Sequence, residues 1–142
     1  MKDETFMLTY GDGLSDINFN DLLSFHKKHG KLATLTSIQL PGRFGHLNIA
    51  ADGSVSDFKE KFADQDMWIN GGFFILEPRI FDFFGENVDE TQWEKGPLVK
   101  IAENEQLAAF QHDGFWKCMD ALRDRIELEE LWNSGNAKWK TW

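Results

Sequence analysis

The fold of this chain is decided by a short stretch near its N-terminus, Phe6-Met7-Leu8-Thr9-Tyr10-Gly11-Asp12-Gly13. Its first five residues are β-prone, and the two glycines around Asp12 allow the backbone to turn sharply. The pattern predicts a buried strand that delivers the Asp12 carboxylate at its carboxyl end, a favoured place for ligands in α/β sheets. A turn aspartate that only bonds its own backbone is the competing interpretation.

The residues that follow predict a helix and a second strand. Apolar residues recur at helical spacing over residues 19–29, behind Asn18 as a capping residue and ahead of Gly30 as a stop. His26 would lie on the inner face of this helix or at its margin. Residues 32–38 return to β character, so strand, helix and strand together predict one right-handed parallel crossover.

The middle of the chain predicts more strands. Residues 45–50 and 55–58 flank the turn Asp52-Gly53, which is a strong hairpin signal. Residues 67–76 form a long apolar run that contains Gly71-Gly72. An interior glycine pair indicates that something approaches the backbone closely, either a ligand or a neighbouring strand. The order of elements predicts an α/β unit with a mixed sheet.

The C-terminal third predicts short helices over residues 78–84 and 97–103, then strands over 107–112 and 115–119. A charged helix would open at Asp120 and end near Trp132. Its inward positions are expected to be Leu122, Ile126, Leu128 and Leu131.

Composition excludes several classes of function. The 142 residues include 15 Lys and Arg against 24 Asp and Glu, a net charge of -9 that repels nucleic acid. Cys118 is the only cysteine and cannot form an intramolecular disulfide, which favours a cytoplasmic protein. The N-terminus is too polar for a signal peptide, and the longest apolar run, near residues 73–76, is too short to span a membrane.

Several side chains could carry chemistry. Asp12 and Asp120 both follow predicted strands and could share a magnesium ion, although Asp120 is also well placed to cap the helix that follows. Asp16 invites comparison with the acidic pairs of metal-dependent glycosyltransferases. The four histidines show no zinc-like spacing with each other or with the cysteine.

A second group of candidates suits a sugar phosphate. Glu60 could accept hydrogen bonds from sugar hydroxyls while Lys61 binds a phosphate, or the pair could be a solvated charge cluster. Asn70 offers a donor and an acceptor to a hydroxyl, or is an ordinary amide at the end of a strand.

Five blocks of this sequence resemble the glucose-1-phosphate cytidylyltransferases in order and spacing. The resemblance covers essentially all of the 142 residues, and the blocks are residues 6–13, 41–45, 58–61, 69–74 and 114–124. It implies a Rossmann-like mixed sheet of the nucleotide-diphospho-sugar transferase type, truncated at the N-terminus. Residues 1–142 would be the C-terminal half of that domain.

The resemblance also implies an activity, the transfer of CMP from CTP to glucose 1-phosphate to give CDP-glucose and pyrophosphate. Mg²⁺ is the implied cofactor, and the product would feed the dideoxy sugars of O-antigen in lipopolysaccharide biosynthesis. Carried over by position, the metal ligands are Asp12 and Asp120, the sugar contacts Glu60 and Asn70, the phosphate contact Lys61, and further substrate-binding residues Gly11, Gly45 and Gly71.

The chain departs from that family in one respect. The family begins with a strand and a glycine-rich loop of the Gly-x-Gly-Thr-Arg-Leu kind, which does not occur among these 142 residues. We therefore expect little or no cytidylyltransferase activity from this chain alone. Two alternatives stay open: a non-catalytic module that binds sugar phosphate or associates with a partner, and a metal-dependent glycosyltransferase. An unpaired sheet edge makes a homo-oligomer possible.

Overall fold

The computed structural model describes residues 4–39, 46–49, 54–59, 68–85 and 88–142. In these ranges the strands are β1 Phe6–Thr9, β2 Gly13–Ser15, β3 Ala33–Gln39, β4 His46–Ile49, β5 Val55–Lys59, β6 Trp68–Leu76, β7 Leu107–His112 and β8 Trp116–Cys118. The α-helices are α1 Phe19–His29, α2 Pro97–Glu103 and α3 Leu122–Asn133, and two short 3-10 helices are Pro78–Phe83 and Val88–Glu90.

The main sheet has four strands in the order β1-β6-β3-β7. β6 is antiparallel to both β1 and β3, whereas β3 and β7 are parallel. β1 and β3 therefore run in the same direction, as a parallel crossover requires, but β6 lies between them. The mixed α/β sheet predicted from the sequence is confirmed.

β1 lies at the edge of this sheet, and the expectation that it is buried was wrong. Met7 is 52% exposed and Leu8 is 37% exposed. The reason is that β1 pairs on one side only, with β6, so its other side has no strand partner within the described ranges. An apolar sequence predicts a strand here correctly, but it does not reveal how many neighbours the strand has.

The remaining described strands form two further two-stranded sheets. β4 and β5 pair antiparallel, which confirms the predicted hairpin, while its turn at Asp52-Gly53 lies outside the described residues. β2 pairs antiparallel with β8, and this ladder matters most for the site because β2 begins directly after Asp12 and β8 ends two residues before Asp120.

The sheet has an apolar core on each face. Alternation along β6 sends Phe74 and Leu76 to one core and Phe73 and Ile75 to the other. The first core also contains residues of the 3-10 helix and α2, and the second contains Leu22 of α1. The described elements therefore form helical layers on both sides of a central sheet.

Helix α1 has the predicted bounds. The Asn18 side chain accepts hydrogen bonds from the N–H groups of Asn20 and Asp21, at 3.0 and 3.4 Å. Gly30 ends the helix in the left-handed conformation, with φ of 66°, and its N–H donates to the carbonyl of His26.

His26 is buried on the inner face of α1, as predicted, in a chain of hydrogen bonds. The Lys31 N–H donates to Nδ1 of His29 at 2.9 Å, so Nε2 of neutral His29 carries the proton and donates to Thr34 Oγ1 at 2.6 Å. The Thr34 hydroxyl then donates to His26 Nδ1 at 2.8 Å, and His26 Nε2 donates to Glu77 at 3.0 Å. This arrangement satisfies every group when both imidazoles are neutral.

Helix α3 differs from its prediction at its start and on its inner face. Its capping carboxylate is Asp124, which accepts the Ala121 N–H at 2.9 Å, so Asp120 is not the capping residue. Leu128 is buried as expected, but Leu122 is 72% exposed and Ile126 is 47% exposed. The expected inward positions Leu122 and Ile126 were wrong because the buried face of α3 passes through Asp124 and Leu128 instead.

Candidate functional site

Asp12, Asn70 and Gly71 lie at one edge of the main sheet. This edge is formed by the carboxyl ends of β1 and β3 and the start of the antiparallel strand β6. The Tyr10 N–H donates to the carbonyl of Gly72 at 3.2 Å, which holds the turn after β1 against the start of β6. The Asp12 turn and Asn70 therefore lie beside each other in the fold, although about sixty residues separate them in sequence.

Asp12 and Asp120 lie at the same end of the β2–β8 ladder. Gly13 is the ladder partner of Cys118, and the Met119 N–H donates to the carbonyl of Asp12 at 2.9 Å. Strand pairing thus places the two aspartates at the same end of the ladder, although they lie far apart in the sequence. The Asp12 carboxylate has no hydrogen-bond or ion-pair partner among the described residues. The competing interpretation, a turn aspartate that bonds its own backbone, is therefore not supported.

The Asp120 carboxylate contacts a thiol. Cys118 Sγ donates to Asp120 Oδ2 at 3.1 Å, and burial together with this carboxylate raises the pKa of the thiol. Cys118 is half-buried. The thiol therefore stays protonated near neutral pH and helps to orient Asp120 at the end of the ladder.

Asn70 is held at both ends of its amide. Its Oδ1 accepts the N–H of Gly72 at 2.9 Å, and its Nδ2 donates to the Tyr10 hydroxyl at 3.1 Å. It is exposed, so the rest of the amide faces solvent. The amide is therefore both oriented and accessible.

The glycine pair of β6 is approached by protein groups. A Cβ on Gly71 would lie 3.1 Å from the Thr36 carbonyl oxygen and 3.2 Å from Ile38, and one on Gly72 would lie 2.5 Å from the Tyr10 ring. Trp116 Nε1 also donates to the Gly71 carbonyl at 2.8 Å. The sequence predicted that either a ligand or a neighbouring strand approaches this glycine pair. The structure shows the neighbouring strand β3 at Gly71 and the aromatic ring of Tyr10 at Gly72.

An open cavity is lined in part by Ile38 and Trp116, the two side chains that contact Gly71. Its volume is about 440 Å³, within the size range of small-molecule sites. It lies at the carboxyl ends of the parallel strands β3 and β7 and is lined by Ile38, Gln39, His112, Asp113, Gly114, Phe115 and Trp116.

Asp16 has a structural role at the other end of β2. Its Oδ1 accepts the Phe115 N–H at 2.8 Å and lies 3.0 Å from His112 Nε2. Ser15 lies 3.2 Å from the same nitrogen and donates to the Phe115 carbonyl. These three side chains do not form a catalytic triad, because the serine and the aspartate contact the same ring nitrogen. The carboxylate is committed to joining β2 to the β7–β8 turn.

Three of the predicted site residues, Gly45, Glu60 and Lys61, lie outside the described residues. Gly11 lies in the turn before Asp12, and a Cβ there would meet nothing within 4 Å. The roles assigned to all of these residues stay predictions.

The comparison with protein families decides the family. Residues 1–130 match the family model described as "Nucleotidyl transferase". The chain belongs to the nucleotidyl transferase family.

Among curated relatives of this nucleotidyltransferase, the glucose-1-phosphate cytidylyltransferase of Salmonella typhimurium is 50% identical over 140 residues. The alignment covers 99% of this chain and 53% of the relative, so the chain spans about half the length of that protein. The mannose-1-phosphate guanylyltransferase catalytic subunit beta of Drosophila pseudoobscura is 31% identical over 126 residues, 85% of this chain and 33% of that one.

Solved structures support the fold. A protein from Bacillus anthracis crystallised with sucrose has a TM-score of 0.63 at 13% identity, over 96% of this chain and 55% of that one. HddC from Yersinia pseudotuberculosis has a TM-score of 0.55 at 15% identity, over 93% of this chain and 57% of that one. The likeness at such low identity places this nucleotidyltransferase in the expected fold and says nothing of its substrate.

The donor set at the end of the β2–β8 ladder suits magnesium. Within the ranges that the structure describes, no group of three or more His, Cys, Asp or Glu side chains is arranged to hold a metal. Mg²⁺ needs fewer protein ligands, since it binds through one or two carboxylates and completes its shell with water and phosphate oxygens. Asp12 and Asp120 supply two carboxylates, so this nucleotidyltransferase has residues that fit the ion.

Sequence reasoning missed Tyr10 and Trp116 as parts of the site. Tyr10 lies inside the first sequence block, but its contact with Asn70 depends on the pairing of β1 with β6. Trp116 was assigned only to a strand, and its hydrogen bond to the Gly71 carbonyl crosses between two sheets.

In the described part of the chain, no helix is long and apolar enough to cross a membrane.

Proposed function

We propose that this chain is the sugar-phosphate and metal-binding part of a nucleotidyltransferase that transfers CMP from CTP to glucose 1-phosphate. The observation that carries the proposal is the 50% identity, over 140 residues, to the Salmonella typhimurium glucose-1-phosphate cytidylyltransferase. The position of Asp12 and Asp120 at one end of a ladder supports it. CTP is favoured over GTP as the nucleotide substrate because the sequence identity to the guanylyltransferase relative is only 31%.

The proposed reaction is an in-line displacement at phosphorus. A phosphate oxygen of glucose 1-phosphate attacks the α-phosphorus of CTP, and the bond from that phosphorus to the oxygen bridging to the β-phosphate breaks. The products are CDP-glucose and pyrophosphate. Such reactions depend mostly on positioning and charge neutralisation, with little covalent chemistry from the protein.

The residues of this chain would divide that work. Lys61 would bind the phosphate of the sugar phosphate, and Glu60 and Asn70 would hold sugar hydroxyls. Gly11, Gly45 and Gly71 would let the substrate approach the backbone. Asp12 and Asp120 would hold a divalent cation, proposed to be Mg²⁺, which when bound offsets the negative charge of the phosphates.

The chain by itself is proposed to bind sugar phosphate without efficient catalysis. Its 142 residues contain no Gly-x-Gly-Thr-Arg-Leu segment, and backbone donors in loops of that kind hold nucleotide phosphates. A partner polypeptide could supply a loop of that kind. The product would serve the dideoxy sugars of O-antigen in lipopolysaccharide, and the reaction would take place in the cytoplasm.

Calorimetry tests the proposal. Glucose 1-phosphate should bind the purified chain more tightly with Mg²⁺ than without it, and Asp12→Asn or Asp120→Asn should abolish that difference. Asp16→Asn is the matched control and should keep the difference, because its carboxylate serves the Phe115 N–H and His112. The absence of binding to glucose 1-phosphate at millimolar concentration would refute the sugar-phosphate role.

A second assay separates binding from catalysis. We expect the chain mixed with CTP, glucose 1-phosphate and Mg²⁺ to release little or no pyrophosphate. Rapid formation of CDP-glucose by the purified chain would contradict the view that the nucleotide half of the site is needed. A metal-dependent glycosyltransferase using Asp12 and Asp16 is not favoured, because Asp16 is engaged at the β7–β8 turn.

A further inference from the structure

We infer that Tyr10 is a positioning residue that fixes the amide of Asn70 in the one orientation in which it binds a sugar hydroxyl. The inference rests on the proposed function, since Asn70 is a proposed sugar contact. Neither the sequence blocks nor the comparisons assign a role to Tyr10. The structure links it directly to Asn70, to Gly72 and to the turn that carries Asp12.

The hydrogen bonds of Asn70 define what it can offer a ligand. A carboxamide has two N–H donors and an oxygen with two lone pairs. The Gly72 N–H occupies one lone pair of Oδ1, and the Tyr10 hydroxyl accepts one Nδ2 proton. One donor and one lone pair are left, and the plane of the amide is set. A sugar hydroxyl, which both donates and accepts, suits this remaining pair.

The Tyr10 ring cannot easily move away from this position. Its edge lies against Gly72, where even a methyl group would come within 2.5 Å of Cδ2. The ring also packs edge-on against Phe74, with centroids 5.6 Å apart and an interplanar angle of 71°. The backbone of the same residue is bonded to the Gly72 carbonyl. The hydroxyl therefore stays where the amide of Asn70 needs it.

The Glu94 carboxylate lies beside the Tyr10 hydroxyl and interacts with it. A carboxylate only accepts hydrogen bonds, so the hydroxyl proton is directed toward Glu94. The hydroxyl oxygen is then left to accept from Asn70 Nδ2 at 3.1 Å, and a hydroxyl that donates to an anion is a stronger acceptor.

Tyr10→Phe is the direct test, because it removes one oxygen and keeps the ring that packs against Gly72 and Phe74. We expect the affinity of the chain for glucose 1-phosphate to fall about fivefold, the value of a typical hydrogen bond. In an Asn70→Ala background the same change should cost nothing more. Binding of inorganic phosphate, which lacks the sugar whose hydroxyls Asn70 would hold, should be unchanged by Tyr10→Phe.

Thr5→Val is the matched control, since it also removes a hydroxyl that donates to a carboxylate, at the opposite end of β6. It should leave both affinities unchanged. Thermal unfolding of each variant reports whether it folds. Glu94→Gln is a second test variant that keeps the tyrosine, and like Tyr10→Phe it should weaken the binding of glucose 1-phosphate.

The outcomes are distinguishable. If the wild-type chain binds glucose 1-phosphate and folded Tyr10→Phe binds it equally well, the inference is overturned and the proposed function stands. If Tyr10→Phe weakens inorganic phosphate as much as sugar phosphate, Tyr10 is only structural and the inference is overturned. A wild-type chain that binds no glucose 1-phosphate would refute the sugar-phosphate proposal and this inference with it.

Discussion

Replacing Gly72 with alanine tests the contact on which the site geometry depends. Gly72 has φ of 79°, in the left-handed region, and its missing Cβ would lie 2.5, 3.2 and 3.3 Å from three atoms of the Tyr10 ring. Cγ lies on the axis of ring rotation and stays in place, and turning the ring to move Cδ2 away would disturb its edge-on packing against Phe74. The structure therefore predicts two separate penalties for Gly72→Ala.

The magnitudes can be separated with a matched glycine. A non-glycine residue in the left-handed region costs roughly 1–2 kcal/mol, and overpacking a filled site adds about 1–3 kcal/mol. Gly30 has φ of 66° and nothing within 4 Å of its Cβ position, so Gly30→Ala should pay only the first penalty. Gly72→Ala should therefore be the less stable of the two variants by about 1–3 kcal/mol.

Urea unfolding followed by far-UV circular dichroism and by the fluorescence of the six tryptophans measures both variants. Gly72→Ala should also weaken glucose 1-phosphate binding, because a displaced Tyr10 no longer holds Asn70, whereas Gly30→Ala should not. If the two variants lose the same free energy of unfolding within about 0.5 kcal/mol, the ring does not pack against Gly72 as described, and the reasoning fails.

Three further predictions follow from the hydrogen bonds. Burial, and then the neighbouring groups His26 and Lys31, lower the pKa of His29. The unfolded chain therefore binds this proton more readily, and the free energy of unfolding should fall as pH drops through about 6.5. His29→Gln should flatten that slope in urea titrations from pH 7.5 to 5.5, and an unchanged slope would contradict the prediction. Glu94→Gln should lower the pKa of Tyr10 from about 12 toward its ordinary value. The absorbance of tyrosinate at 295 nm measures this pKa directly, because the chain has one tyrosine. A pKa that does not change would rule out the bond to Glu94. Asp124→Ala should speed hydrogen exchange in the first turn of α3 while Asp120→Ala should not, since Asp124 accepts the Ala121 N–H; equal effects would restore Asp120 as the cap.

Much of the local structure was predictable because neighbouring residues decide it. Asn18 and Gly30 set the bounds of α1 through bonds that span two to four residues, and the apolar run ending at Leu76 forms the predicted strand. The family followed from sequence blocks, and the match over residues 1–130 confirms it. The stretch that contains Asp12 was recognised correctly as a strand and a turn.

The errors in α3 concern its packing and its cap. Leu122 and Ile126 were expected to face inward because apolar side chains usually do, yet helix α3 packs through Asp124 and Leu128. Asp120 precedes the helix as a capping residue would, but it is the Asp124 carboxylate that accepts the Ala121 N–H. Which of two carboxylates four residues apart caps the helix depends on local geometry that spacing alone does not supply.

The order of residues along the chain was enough to predict most elements, the family and the acidic and amide side chains of the candidate site. The placement of β6 between β1 and β3, the contact of Tyr10 with Asn70 and the binding of Asp16 to the β7–β8 turn became visible only in the folded chain. The difference lies in the distance along the sequence over which each interaction acts. Capping, turn and strand preferences act over a few residues, whereas these contacts join segments about 60 to 100 residues apart and exist only once the strands have paired.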